Sequence, residues 1–257
     1  MKILVLVKEV PDTYGDRKLN LITGLAERDA SDKVLDEIGE RAIEAAVSHA
    51  ESNAGTEVVV LSVGPDSVPN SLRKGLAMGA DKAVHVLDEK MRGADLTLTA
   101  EVLAAAAAQV GYDLILTGDL STDGVGGVIP SMLAEHLGLP HVTNLTSLAI
   151  ANSEVRGTRD SDSGTMTVSA PLPAVVSITD RLPDPRFPNF KGIMAAKKKP
   201  FETVTLADLG VDPASEAPRS IIIAISEKPA RGAGIKIVDE GDAGNQLADF
   251  LVQNRLV

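Results

Sequence analysis

Four short runs rich in β-branched residues, Ile3 to Val7, Val58 to Val63, Ala83 to Leu87 and Leu114 to Thr117, are apolar at almost every position. Such runs mark strands covered on both faces rather than on one. Between them apolar positions recur at helical spacing over 34–51, 67–78, 96–110 and 126–137. Each stretch is long enough to carry the chain back to a parallel neighbour. The alanines from Ala104 to Ala108 fit the third helix, because alanine is the best helix former and allows close packing on a sheet. The first half of the chain therefore predicts an α/β domain with a doubly wound, mostly parallel, Rossmann-like sheet.

After Pro140 the pattern changes to Val142–Ile150, Glu154–Arg159, Thr165–Ala170 and Ala174–Thr179, short strands separated by polar turns such as Asp160 to Gly164. That pattern predicts a β-hairpin and a return strand. From Arg181 the chain is an extended arm with scattered Pro and Gly, one apolar run at Ile221–Ile225 and a predicted last helix from Asn245 to Arg255. An arm with so little core of its own has to lean on its domain or on a second chain. The expected organisation is a nucleotide-binding domain over 1–183, a partner-recognition loop over 184–199 and a C-terminal arm over 200–257.

Composition narrows the chemistry. At 257 residues and 44% hydrophobic, the chain can bury a sizeable core. Without cysteine, disulfides, thiolate metal sites, iron–sulfur clusters and Cys nucleophiles are excluded, so redox work has to come from a bound organic cofactor. A net charge of −11 argues against nucleic acid or an anionic membrane as the main partner. No run approaches the roughly 20 apolar residues of a membrane span, and MKILVLVKEV reads as a first strand rather than a signal.

The strongest candidate site is Gly118 to Pro130, GDLSTDGVGGVIP, which leaves the fourth apolar run, passes three glycines and enters a helix. Glycines let backbone amides converge on a phosphate, and in open α/β sheets ligands sit beyond the carboxyl ends of strands. Ser121 and Thr122 are candidate phosphate donors, and Asp123 a candidate helix cap or ribose acceptor. The loop is neither GxGxxG nor a P-loop. A second cluster, Ser62 to Ser67, reads as a strand end with Asp66 or Ser67 capping the next helix. The four histidines form no metal pattern. Asp160 with Asp162, and Glu40 with Glu44, read as solvated charges. No catalytic constellation is present, so the chain reads as a binding or carrier protein rather than an enzyme. The segment DPRFPNFKGIMAAKKK, 184–199, holds two of the four phenylalanines beside three lysines and is broken by Pro185, Pro188 and Gly192. It reads as a loop that presents an apolar anchor with a basic flank.

The opening MKILVLVKEVPDT, the stretch RKGLAMGADKAVH from Arg73 to His85, the TDGVGG loop, LPAVVS from Leu172 to Ser177, PRFPNFKGIMAAKKK and EGDAGNQ from Glu240 to Gln246 occur in one order. Together they resemble the β subunit of electron transfer flavoprotein in its bacterial, actinobacterial-like form. The resemblance implies a heterodimer in the bacterial cytoplasm whose separate α subunit holds the redox-active FAD and receives the C-terminal arm, while this chain binds AMP structurally. It implies electrons entering from acyl-CoA and related flavin dehydrogenases of fatty-acid β-oxidation and leaving to electron transfer flavoprotein quinone oxidoreductase. Carried over by position, the AMP contacts fall on Leu6; on Asp36, Glu37, Ile38 and Gly39; on Val63; and on Gly118 with Ser121, Thr122, Asp123, Gly124, Val125, Gly126, Gly127, Val128 and Ile129. The docking loop falls on Pro188, Asn189, Phe190, Lys191, Gly192, Ile193 and Met194, with Phe190 as anchor where leucine is common. Relatives often carry Ser or Thr within the Gly124–Gly127 portion and some carry Asn in place of Asp36. From the residues alone, a stand-alone adenine-nucleotide-binding regulator of the universal-stress type is the second reading.

Overall fold

The structure, a computed structural model, describes residues 1–15, 17–213 and 220–257. The predicted arm over 200–257 includes 214–219, which lie outside the described residues. The chain divides into two units, Met1–Ile223 and Ala224–Val257.

In the first unit the strands are β1 (Lys2–Leu6), β2 (Glu9–Pro11), β3 (Lys33–Leu35), β4 (Glu57–Val63), β5 (Lys82–Val86), β6 (Leu114–Gly118), β7 (His141–Leu145), β8 (Ser147–Ile150), β9 (Glu154–Ser161), β10 (Gly164–Pro171), β11 (Ala174–Ile178) and β12 (Phe201–Val204). The helices are α1 (Glu37–Ser52), α2 (Pro69–Met78), α3 (Leu96–Val110), α4 (Ile129–Leu137) and α5 (Phe190–Ala196). Seven strands form one parallel sheet in the order β12-β5-β4-β1-β6-β11-β7. The doubly wound α/β fold expected from the apolar runs is the one observed.

Both faces of the sheet are covered, which is why its strands read as continuous apolar runs. Ile3, Val5, Val58 and Val60 join Ala42, Ile43 and Leu72 of α1 and α2 in one core. Leu4, Leu6, Val59 and Leu61 join Val102, Leu103 and Leu133 of α3 and α4 in the other. Each fully buried aliphatic side chain contributes about 1.5–3 kcal/mol. The strand order places β1 between β4 and β6, and the chain passes from one side of β1 to the other after β5. This reversal opens a crevice at the carboxyl ends of β1, β4 and β6, and Leu6, Val63 and Gly118 are the last residues of those strands.

Several local readings are corrected. Val34 and Leu35 belong to β3, antiparallel to β2, and α1 starts only after Asp36. Their apolar spacing continued the helical pattern, so periodicity extended the helix over a strand. The run 142–150 is two strands, divided at Thr146, whose amide and hydroxyl bond the Thr158 carbonyl at 2.7 and 3.1 Å. It therefore contributes β7 to the large sheet and β8 to the three-stranded sheet β10-β9-β8. Neither Asp66 nor Ser67 caps α2, which begins after Val68 without a side-chain cap. Ser67 instead donates to Glu9 at 2.5 Å, beside Ser71 at 2.9 Å. The supposed loop 184–199 contains helix α5, started by Asn189, whose side chain accepts from the Gly192 amide at 2.8 Å.

In the second unit, α6 (Ala243–Gln253) carries Leu247, Leu251 and Phe250 among polar residues. Among the described residues no helix is long and apolar enough to cross a membrane.

Gly118 lets α1 approach the crevice. A Cβ there would lie 2.8 Å from Cγ2 of Ile38, in the first turn of α1. Gly118→Ala therefore forces apart β6 and the start of α1, at a cost of about 1–3 kcal/mol. The expected outcome is a thermal midpoint several degrees lower; an unchanged midpoint would show that α1 retreats from β6 freely.

Candidate functional site

The crevice is organised around two carboxylates. Asp36 is 3% exposed and is the N-cap of α1, accepting from the Ile38 amide at 3.1 Å. Asp, with its short acceptor side chain, suits this position next to the orphan amides of a helix start. Its second oxygen accepts from the Thr122 amide at 2.7 Å and the Thr122 hydroxyl at 3.0 Å. Its own amide donates to the Lys8 carbonyl at 2.9 Å. Through its side chain and its backbone amide, one residue thus joins the exit of β1, the start of α1 and the loop after β6.

Asp123 is the second. Lys8 bonds one of its oxygens at 2.8 Å, Arg28 the other at 3.1 Å, and the Gly124 amide donates to it at 2.7 Å. Burial pushes its carboxyl up, but the Lys8 hydrogen bond and charge, with Ser121 and Arg28, outweigh this and hold it at about 2. Arg17 adds a hydrogen bond to the Thr122 carbonyl. Two expectations change here. Thr122 gives both its donors to Asp36 rather than to a ligand, and Asp123 does not cap α4, whose N-cap is Val128 without a side-chain bond. Ser121 lies 3.3 Å from the Lys8 amine.

Beyond Asp123 the loop is exposed from Gly124 to Val128. Val125 has φ of 52°, a left-handed conformation costly for a β-branched residue, of order 1–3 kcal/mol. Its amide is taken by the Ser121 carbonyl at 2.8 Å. Among the described residues the amides of Gly126, Gly127 and Val128 find no intramolecular acceptor, and they stand just before α4, where the helix dipole favours an anion. A Cβ at Gly126 would meet only Leu96 at an ordinary 3.5 Å. The predicted residues therefore fall into three groups. Leu6, Val63 and Gly118 are strand ends; Asp36, Glu37, Ile38 and Gly39 start α1; and Ser121 to Val128 form the loop after β6, with Ile129 opening α4. Within these groups Ile38 packs toward Gly118 and Gly39 lies against Val7, so their side positions serve the core.

The candidate docking residues lie elsewhere, on α5 and the segment before it. Phe187 and Phe190 are 93% and 79% exposed, and Ile193 and Met194 are half-exposed. Positions 190, 193 and 194 share one face of α5. Pro188 and Asn189 lead into the helix, and Lys191 is exposed on it beside Gly192. Gly192 allows the close approach of α5 to α2: a Cβ there would lie 2.4 Å from the Ala77 carbonyl oxygen. Lys197 and Lys198 are exposed, but Lys199 is not part of a basic flank. Its amine donates to the carbonyls of Leu76, Gly79 and Ala80 at 3.0, 3.2 and 2.6 Å, closing the end of α2, and burial pushes its pKa down.

Glu40 and Glu44 are not solvated charges either. Glu40 pairs with Lys74, and Glu44 takes the Arg186 guanidinium at 2.8 and 2.9 Å. The Arg186 hydrogen bond holds the Glu44 carboxyl down at about 2. Sequence reasoning missed Lys8, Arg17, Arg28, Arg186 and the Glu9–Ser67–Ser71 cluster. Lys8 alone carried a signal, since it directly follows the first strand at its carboxyl end. Among the described residues no group of three or more His, Cys, Asp or Glu could hold a metal ion.

Residues 23–209 match the electron transfer flavoprotein domain. The electron transfer flavoprotein subunit beta of Mycobacterium leprae is 45% identical over 264 aligned positions, covering 99% of each chain. The chain belongs to the electron transfer flavoprotein β-subunit family. The subunit beta of Syntrophomonas wolfei is 36% identical, over 98% of this chain and 96% of that one. The caffeyl-CoA reductase-Etf complex subunit CarD of Acetobacterium woodii is 33% identical, over 98% and 97%. The matched family region takes in both the loop after β6 and α5.

The depressed Asp123 carboxyl sets a pH signature. A carboxyl with a folded pKa of about 2 against an ordinary 3.8 stabilises the fold above 3.8, and that contribution is lost as pH falls toward 2. Asp123→Asn should therefore melt below wild type at neutral pH, and the gap should close through that acid window. A gap independent of pH would mean that Lys8 and Arg28 do not act on its charge.

Proposed function

We propose that this chain is the β subunit of a heterodimeric electron carrier, that it holds AMP in the crevice after β1 and β6, and that it docks flavin dehydrogenases through Phe190. Electrons then pass through FAD, held mainly on an α subunit, to a quinone oxidoreductase, in fatty-acid β-oxidation. Membership of the family supports the carrier role. The observation that carries the nucleotide reading is the row of unbonded amides at Gly126, Gly127 and Val128, set at the start of α4 above two cations that share one carboxylate.

The residues fit a nucleotide monophosphate. The amides and the helix start receive the phosphate, while Lys8 and Arg28 leave a positive balance after Asp123 is satisfied. Asp36 and Thr122, being spent on each other, hold the loop in shape rather than reading the ligand. FAD, when bound in the heterodimer, supplies the electron-accepting ring. This chain contributes binding surfaces and orientation. Phe187, Phe190, Ile193 and Met194 form an apolar ridge, with Lys191, Lys197 and Lys198 around it, fitted to an acidic-rimmed apolar pocket on a donor.

Two measurements test the reading. Co-production with the α subunit should give a complex carrying one FAD and one AMP, seen by absorbance and nucleotide analysis; a complex without flavin, or without adenine nucleotide, overturns it. Phe190→Ala should keep both contents and slow reduction by an acyl-CoA dehydrogenase about thirtyfold, the equivalent of about 2 kcal/mol. Unchanged reduction kinetics would remove Phe190 from the docking surface.

A further inference from the structure

The segment carrying Phe187 and Phe190 is gripped by α1 through one guanidinium. Arg186 donates from its backbone amide to Glu44 Oε2 at 3.0 Å, from Nε to the same oxygen at 2.8 Å and from Nη2 to Glu44 Oε1 at 2.9 Å. Its Nη1 and Nη2 reach the two oxygens of Glu51 at 2.5 and 3.0 Å, and Nη2 also reaches the Ser48 hydroxyl at 3.3 Å. Ser48 in turn donates to Glu44 at 2.7 Å. Glu44, Ser48 and Glu51 are four and three residues apart on α1 and share one face. A planar guanidinium laid across two carboxylates fixes direction as well as distance, which a lysine ammonium cannot reproduce.

A second strut stands beside it. Arg41, one turn earlier on α1, bonds the Leu182 carbonyl at 2.5 Å and Asp184 at 2.6 Å. At the far end, Gly192 lies against the Ala77 carbonyl and Lys199 closes the end of α2. The segment is thus held before, within and after the ridge, while Phe187 and Phe190 stand exposed. The hydrogen-bond partners of the Arg186 guanidinium, Glu44, Ser48 and Glu51, all belong to the polar face of α1 rather than to the sheet.

We propose that Arg186, through its fork onto Glu44 and Glu51, is a positioning residue that sets the pose of the Phe187–Phe190 ridge for the electron donor. A ridge held in its docked pose loses little conformational freedom on binding, whereas a freed one has to be ordered at each encounter. This inference rests on the docking role of Phe190 given above.

The test uses the intact heterodimer and an acyl-CoA dehydrogenase that reduces its wild-type form. Arg186→Ala and Arg186→Lys should both raise the KM for the carrier about five- to tenfold. The kcat, flavin spectrum and AMP content should stay at wild-type values, and α5 amides should exchange with solvent faster. Glu51→Gln, at an exposed position that cannot unfold the chain, should raise KM about two- to threefold. A wild-type KM in Arg186→Ala while Phe190→Ala is slow overturns the positioning role and leaves the docking reading standing. Wild-type behaviour of Phe190→Ala sinks the docking reading, and this inference with it. Full rescue by Arg186→Lys would reduce the fork to a point charge and refute the geometry. If Arg186→Ala fails to fold, Glu51→Gln decides, and an unchanged KM there overturns the proposal.

Discussion

One buried aspartate, through its carboxylate and its backbone amide, ties together the segments that make the crevice. Asp36 starts α1, receives both donors of Thr122 from the loop after β6, and gives its amide to the exit of β1. These segments are separated by tens of residues, and Lys8 at the exit of β1 joins them a second time, through its carbonyl to Asp36 and its amine to Ser121 and Asp123. A buried charge without partners is costly, by several kcal/mol, so its three hydrogen bonds fix the loop as strongly as they fix the helix. Once Thr122 is held, Asp123 falls next to Lys8 and Arg28, and Val125 is driven into its left-handed conformation. The free amides that follow are the consequence. The amides of Thr122, Gly124 and Val125 are taken within the fold, which leaves those of Gly126, Gly127 and Val128 without an acceptor among the described residues.

The same logic explains what could be read from the residues and what could not. The four apolar runs of the first half became strands because their side chains are buried on both faces of the sheet, whereas the later run Ile221–Ile225 forms no strand and leaves Ile221, Ile222 and Ile223 exposed. Val63 and Gly118 were legible as a strand end and a strand exit from the apolar runs, whereas Leu6, the end of β1, was singled out only by the resemblance, because the first apolar run continues to Val7. Val34 and Leu35 were misread because three residues of β3 fit a helical spacing as well as a strand. Helix α5 was hidden by Pro188 and Gly192, yet both have positional reasons: the proline precedes the cap, and the glycine meets a carbonyl of α2. The pairings of Asp123 and Glu44 lay beyond reach, since their partners stand more than 90 residues away in sequence or depend on tertiary placement.

Charge has a different meaning in the two regions. The chain as a whole carries −11, and at neutral pH such a field repels acidic partners at a distance. Around Asp123 two cations serve one anion, and around α5 Lys191, Lys197 and Lys198 stand exposed. These local reversals give direction to what would otherwise be uniform repulsion. Arg186 works the opposite way: its charge is spent on Glu44 and Glu51, so it contributes geometry and no field.

Two exposed phenylalanines four and one residues from an arginine locked on a helix form a surface that costs solubility and contributes nothing to the core. Exposed aromatic area of this kind is retained where a partner covers it. A carrier that has to engage and release its donor repeatedly cannot use a large, adhesive interface, since slow dissociation would limit turnover. A small ridge on a pre-set support meets both demands, because low ordering cost supplies affinity without added area. The helix that supports the ridge is the one whose N-cap, Asp36, secures the loop after β6, so the proposed nucleotide and donor sites both take their position from α1.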